Sequence, residues 1–177
     1  MIRLRKVLIL AALAAGAAHA QGPAQPAAAP QMTQQQMQEA MLRQMQMMAA
    51  MFDVRPSRLG FEETVAAIRA AAEKRGWKLD QVQDVQAAMK AQGAKDAPRM
   101  KVIPACPKDA NEQLAKASQG KAPPLPCRVT VFEAKDGKVQ VMRLNTGMLA
   151  KAMQGESAKV LAQVAGEEEA VMQGIVQ

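Results

Sequence analysis

The sequence predicts an α+β fold, a small antiparallel sheet packed by helices and preceded by a Met/Gln-rich N-terminal helix. Three observations predict it. Lys135-Asp136-Gly137-Lys138 carries the Asp-Gly signal of a tight turn, and alternating segments flank it on both sides. Phe61, Val65, Ile68 and Ala72 recur at the steps of one helical face, and Gly76 stops the pattern. Met37, Met41, Met45, Met48 and Phe52 repeat the same spacing in a stretch without Gly or Pro. The chain has 177 residues, 49% hydrophobic and 22% charged, which is the composition of one globular domain rather than of a disordered chain.

The elements follow in order. Met1 to Lys6 is cationic, Val7 to Ala18 is apolar or small, and Ala18-His19-Ala20 offers small residues where a signal peptidase reads. Residues 1–20 therefore read as a signal peptide cleaved after Ala20, with a periplasmic destination. The apolar run falls well short of the roughly 20 residues that a membrane span needs, so no transmembrane span is expected after cleavage. Residues 21–31 are Pro/Ala-rich and uncharged, a disordered leader. Residues 32–52 form the Met/Gln-rich amphipathic helix, with Thr33 placed to cap it and only Glu39 and Arg43 as charges. The α+β domain occupies residues 53–177.

Within that domain Gly60 opens a helix, with Glu63 in the capping-box position. Trp77 to Val85 alternates in part and reads as a strand running into a turn. Gln86 to Gln92 supplies one or two helical turns before Gly93, and Met100 to Ala105 a short strand. Pro107 starts a helix over Lys108 to Ala117. Ala122-Pro-Pro-Leu-Pro126 leads stiffly into the strand Cys127 to Ala134. That strand turns at Asp136-Gly137 and returns as Val139 to Leu144. Asn145 caps a helix through Met153, and a last helix spans Ser157 to Gln173.

The pattern resembles a known family. Gly60-Phe-Glu-Glu-Thr-Val65 is similar to the helix opening of the domain of unknown function 302 family. Pro126-Cys-Arg-Val-Thr-Val-Phe-Glu133, with Asp136-Gly-Lys-Val139 and Met142-Arg-Leu-Asn145, resembles its central hairpin. Ala105-Cys-Pro-Lys-Asp-Ala110 resembles the preceding segment of secreted, Cys-containing members. The resemblance implies a small α+β fold and no established reaction. The Met/Gln-rich segment falls outside it.

Charge and composition narrow the function. Cleavage would remove Arg3, Arg5, Lys6 and His19, lowering the formal charge from +7 to +4 and leaving no histidine. Aromatics make up 2%, too few for stacking platforms, so no nucleic-acid partner is expected. No nucleotide loop, Ser-His-Asp set or His-based metal cluster is present. Glu167-Glu-Glu169 reads as a solvated helix face. Asp80 and Asp84 receive no role.

Three constellations carry chemistry. An even cysteine count in an oxidising compartment points to a Cys106–Cys127 disulfide contributing about 3 kcal/mol. Glu133 and Arg143, with Arg128 nearby, are a candidate anion- or ligand-binding set at the hairpin. Clustered thioethers, Met45, Met47 and Met48, suit Cu(I) in an alternative site shared with the two cysteines. The leading expectation is an exported, non-enzymatic module with a structural disulfide and no cofactor. It would bind a small ligand or an envelope protein, with homo-oligomerisation through the Met-rich helix in view. The alternative is a thiol-redox or Cu(I)-handling protein.

Overall fold

The structure, a computed structural model, describes residues 33–177. The assignments of residues 1–20 and 21–31, and Met32, lie outside the described residues. The first helix, α1, runs Gln34–Ala50. Thr33 and Gln36 close a reciprocal cap: Gln36 N–H donates to Thr33 Oγ1 at 3.2 Å, and Thr33 N–H to Gln36 Oε1 at 2.9 Å. Every residue of α1 is exposed.

Phe52 leaves the helical stripe. It opens β1, Phe52–Pro56, which pairs antiparallel with β6, Val139–Leu144. The alternation Phe52-Asp53-Val54-Arg55 suits a strand, and a ladder of backbone bonds outweighs extending an exposed helix by one more residue. Pro56 ends an edge strand, where its missing N–H is tolerated. The expected strand at Trp77 to Val85 is also corrected. It splits into β2, Lys78–Leu79, and β3, Gln83–Asp84, and both pair with β4, Met100–Cys106. The sheet, antiparallel throughout, has the order β1-β6-β5-β4-β2 with β5 at Arg128–Glu133.

The helices capped at Gly60 and Asn145 begin where expected, whereas the other domain helices start one or two residues from where expected. In α2, Phe61–Lys74, Gly60 has no side chain to cap with, so only the return half of the box forms: Gly60 N–H donates to Glu63 Oε2 at 3.1 Å. Gly76 at φ +71° turns the chain out of α2, a conformation that favours glycine. Asp84 caps α3, Val85–Ala91, by accepting from Ala87 N–H at 2.8 Å. The helix after Pro107 starts only at Ala110 (α4, Ala110–Ala117), because Asp109 takes a left-handed φ of +60°. Asn145 caps α5, Thr146–Ala152, as expected, and α6 spans Gly155–Met172.

The core lies on one face of the sheet. Ile103 and Ala105 of β4, Val129 and Val131 of β5 and Val141 of β6 pack against Phe61, Val65, Ile68 and Ala72 of α2. Val171, Met172, Ile175 and Val176 close it, and Trp77 sits buried among them. On the opposite face Thr130 is buried, most of the other alternate residues are half-covered, and Phe52, Val54 and Arg128 are exposed. No helix among the described residues is long and apolar enough to cross a membrane.

Candidate functional site

The register decides where the expected ligand set goes. Arg143 lies opposite Val129, whereas Glu133 lies opposite Val139. Four residues of ladder separate them, about 13 Å at strand rise, so they form no pair. Glu133 instead approaches Arg99 Nη1 at 3.7 Å. Arg128 is exposed at the start of β5 opposite Pro104, and with Arg143 it borders a shallow pocket of about 220 Å³ that also includes Phe52 and Met142.

Arg143 is inward-facing. It continues the row Ile103, Val129, Arg143, Asp53 across four strands, so its guanidinium would be buried beside apolar neighbours. Three carboxylates meet it there. Asp53 Oδ2 accepts from Nε at 3.1 Å and Nη2 at 2.8 Å, Glu168 Oε2 accepts from Nη1 at 2.8 Å, and Glu169 accepts from Nη2. Arg55 adds a second cation on Glu169 and Asp53. All three guanidinium nitrogens of Arg143 are thus engaged within the chain, which makes this an internal network rather than an open anion cradle. The Glu167–Glu169 run is corrected with it: none of the three is simply solvated, since Glu167 pairs with Arg75 at 2.9 Å.

Glu168 is the electrostatically unusual member. Burial raises its pKa, opposed by the Thr146 hydroxyl and by Arg143, while Glu169 pushes it further up. A carboxyl raised in the folded state stabilises most when protonated, and that contribution is lost as pH rises through its folded pKa. Glu168→Gln removes the titration. The variant's stability relative to wild type should therefore rise as pH climbs above the ordinary carboxylate value of 4.5, in urea unfolding followed by Trp77 fluorescence. A constant or falling difference would contradict the assignment.

The cysteines are joined, Cα to Cα at 4.7 Å, with Cys106 ending β4 and Cys127 preceding β5. Asn111 Nδ2 faces both sulfurs at 3.7 and 3.6 Å. Paired in this way they offer no thiolate to a metal. Met45, Met47 and Met48 stay exposed on α1, on a different part of the chain.

One large concave feature among the described residues was not anticipated. An apolar groove of about 730 Å³ opens between α4, the Pro-rich segment 121–126, α5 and α6. Leu114, Leu125, Leu144, Leu149, Met153 and Leu161 line it, and Met51 borders it at the root of α1. Its polar lining is limited to Ser118, Lys121 and Ser157. A second, smaller pocket of about 190 Å³ lies beside Trp77, whose buried Nε1–H has no hydrogen-bond partner among the described residues.

The sequence model described as Domain of unknown function DUF302 matches residues 53–177. The chain belongs to the DUF302 family. A search of the curated proteins found no match. Among solved structures, the chain is similar to the crystal structure of an uncharacterized conserved protein DUF302 from Bacillus stearothermophilus. The TM-score is 0.59 at 13% identity, covering 70% of this chain and 97% of that one. That likeness shows a shared DUF302 fold. The matched residues begin after α1, so the Met-rich arm is an addition to the DUF302 domain in this chain.

Proposed function

We propose that this DUF302 protein is an exported, periplasmic, non-enzymatic binding module, and that the apolar groove is its binding surface. The groove carries the reading. Its volume lies within the range of roughly 300–1,000 Å³ typical of ligand sites, and its lining is mostly apolar with a few polar groups. Among the described residues no carboxylate, histidine or cysteine lines it, and its apolar wall suits burial of an apolar chain. Export is supported by the cationic, apolar and Ala-His-Ala sequence of residues 1–20 and by a disulfide that suits an oxidising compartment.

Titration with the apolar dye anilinonaphthalene sulfonate at submicromolar protein tests the groove. The dye should bind saturably, and Leu125→Glu should weaken it at least tenfold by placing a charge on the apolar wall. Unsaturable binding, or binding unaffected by that substitution, would remove the groove from the reading.

A thiol-redox or Cu(I)-handling role is the second reading. One observation favours it: the Cys106–Cys127 pair borders a pocket of about 360 Å³ through which a reductant could approach, and only the reduced thiols would hold Cu(I).

A further inference from the structure

We propose that the groove is filled by α1 of a second copy of this chain, so that two copies exchange their arms reciprocally. This rests on the groove being the binding surface. The arm needs a partner. Met37, Met41, Leu42, Met45, Met47 and Met48 are all more than half exposed, and the helix carries two charges in 17 residues. A helix of that length with no buried face is marginal in water. At 100° per residue, Met37, Met41, Met45, Met48 and Met51 form one stripe, and Leu42 and Met47 widen it on either flank. That is the face an amphipathic helix lays into an apolar groove.

The arm's root decides whose groove it fills. Met51 is the single residue between α1 and β1, and it borders the groove of its own body. Asn145 pins that junction: its N–H donates to Met51 O at 2.8 Å and its Nδ2 to Ala50 O at 3.2 Å. Beyond it, β1 is held to β6 from Phe52 through Pro56. Met37 to Met48 stand outside the groove while the root is held, so laying them into the same body's groove would require these junction bonds to break. A second copy needs no such break. Each copy has one arm and one groove, so reciprocal exchange closes as a two-fold dimer with both apolar surfaces covered.

The area suffices. The four stripe methionines, Met37, Met41, Met45 and Met48, burying on the order of 100 Å² each, give about 400 Å² per arm. Two arms at that size, with a similar area on the surfaces that receive them, bring the total to about 1,600 Å², above the roughly 1,200 Å² where stable interfaces begin.

Sedimentation of the full purified chain from about 1 to about 100 µM tests this, with anilinonaphthalene sulfonate as a second readout. Wild type should dimerise and release the dye as the dimer forms. An arm variant, Met41→Glu/Met45→Glu, and a groove variant, Leu125→Glu/Met153→Glu, should each weaken dimerisation at least tenfold. Trp77 fluorescence and circular dichroism check that both fold. Mixing the two variants should restore a heterodimer, because one retains an intact groove and the other an intact arm. A groove variant that still dimerises while the arm variant does not would show arm-to-arm pairing and overturn the proposal. A wild type that stays monomeric yet binds dye in the groove would also overturn it, leaving the groove reading intact. A monomer that binds no dye would defeat both.

Discussion

Arg143→Met is expected to lower stability by about 3–5 kcal/mol, a large part of what a domain of this size has. The reason is electrostatic. Arg143 is 7% exposed and is the shared partner of Asp53, Glu168 and Glu169. Without it, Arg55 still pairs with Asp53 and Glu169, but Glu168 is left with only the Thr146 hydroxyl and loses an influence that opposes its raised pKa. The network itself is no proof of net stabilisation, since an apolar replacement of every member can be neutral; removing one member strands the others. Arg143→Lys should recover part of the loss by keeping the charge without the fork. Arg143→Met combined with Glu168→Gln should be less destabilised than the sum of the two single changes. Urea unfolding read by Trp77 fluorescence gives all four values. A loss under about 1 kcal/mol for Arg143→Met would mean that the carboxylates reach water and that the site is a rim pair.

Cys106→Ala/Cys127→Ala is expected to cost about 3 kcal/mol through the loop closure it abolishes. The backbone adds a local reason. Cys127 sits at φ +43°, in the region that favours glycine, and its carbonyl accepts from Ala105 N–H at 2.9 Å to hold β4 beside the start of β5. Without the crosslink that conformation has one tie fewer. Thiol alkylation of protein taken directly from the cell envelope, read by mass spectrometry, separates staple from redox pair. A structural disulfide should be fully oxidised and resist mild reductant. A mixed redox state, or copper held in stoichiometric amount, would favour the thiol-redox or Cu(I) reading.

The elements that the sequence discloses are those whose signal is local. Asp136-Gly137 between alternating runs marks the hairpin, and the stripe from Phe61 to Ala72 marks α2. Strand β1 is hidden because Phe52 continues the methionine spacing and Pro56 argues against a strand, whereas pairing with β6 settles it. The short strands β2 and β3 owe their existence to the β4 edge rather than to their own residues. Arg143 stands out as a chemical residue, but its partners lie elsewhere in the chain: Asp53 is 90 positions away, and a run of three glutamates looks solvated until α6 is packed. The groove is assembled from α4, the Pro-rich segment, β6, α5 and α6, so no window of sequence displays it.

Photo-crosslinking from the arm tests the groove most directly. A benzoylphenylalanine placed at Met41 of the full chain, in a mixture of isotopically heavy and light copies, reports which surface the apolar stripe touches and in which copy. The predicted product joins the arm of one copy to residues 121–126 or 149–153 of another. Crosslinks confined to other arms, or to the half-covered sheet face, would contradict the groove as the seat of the arm.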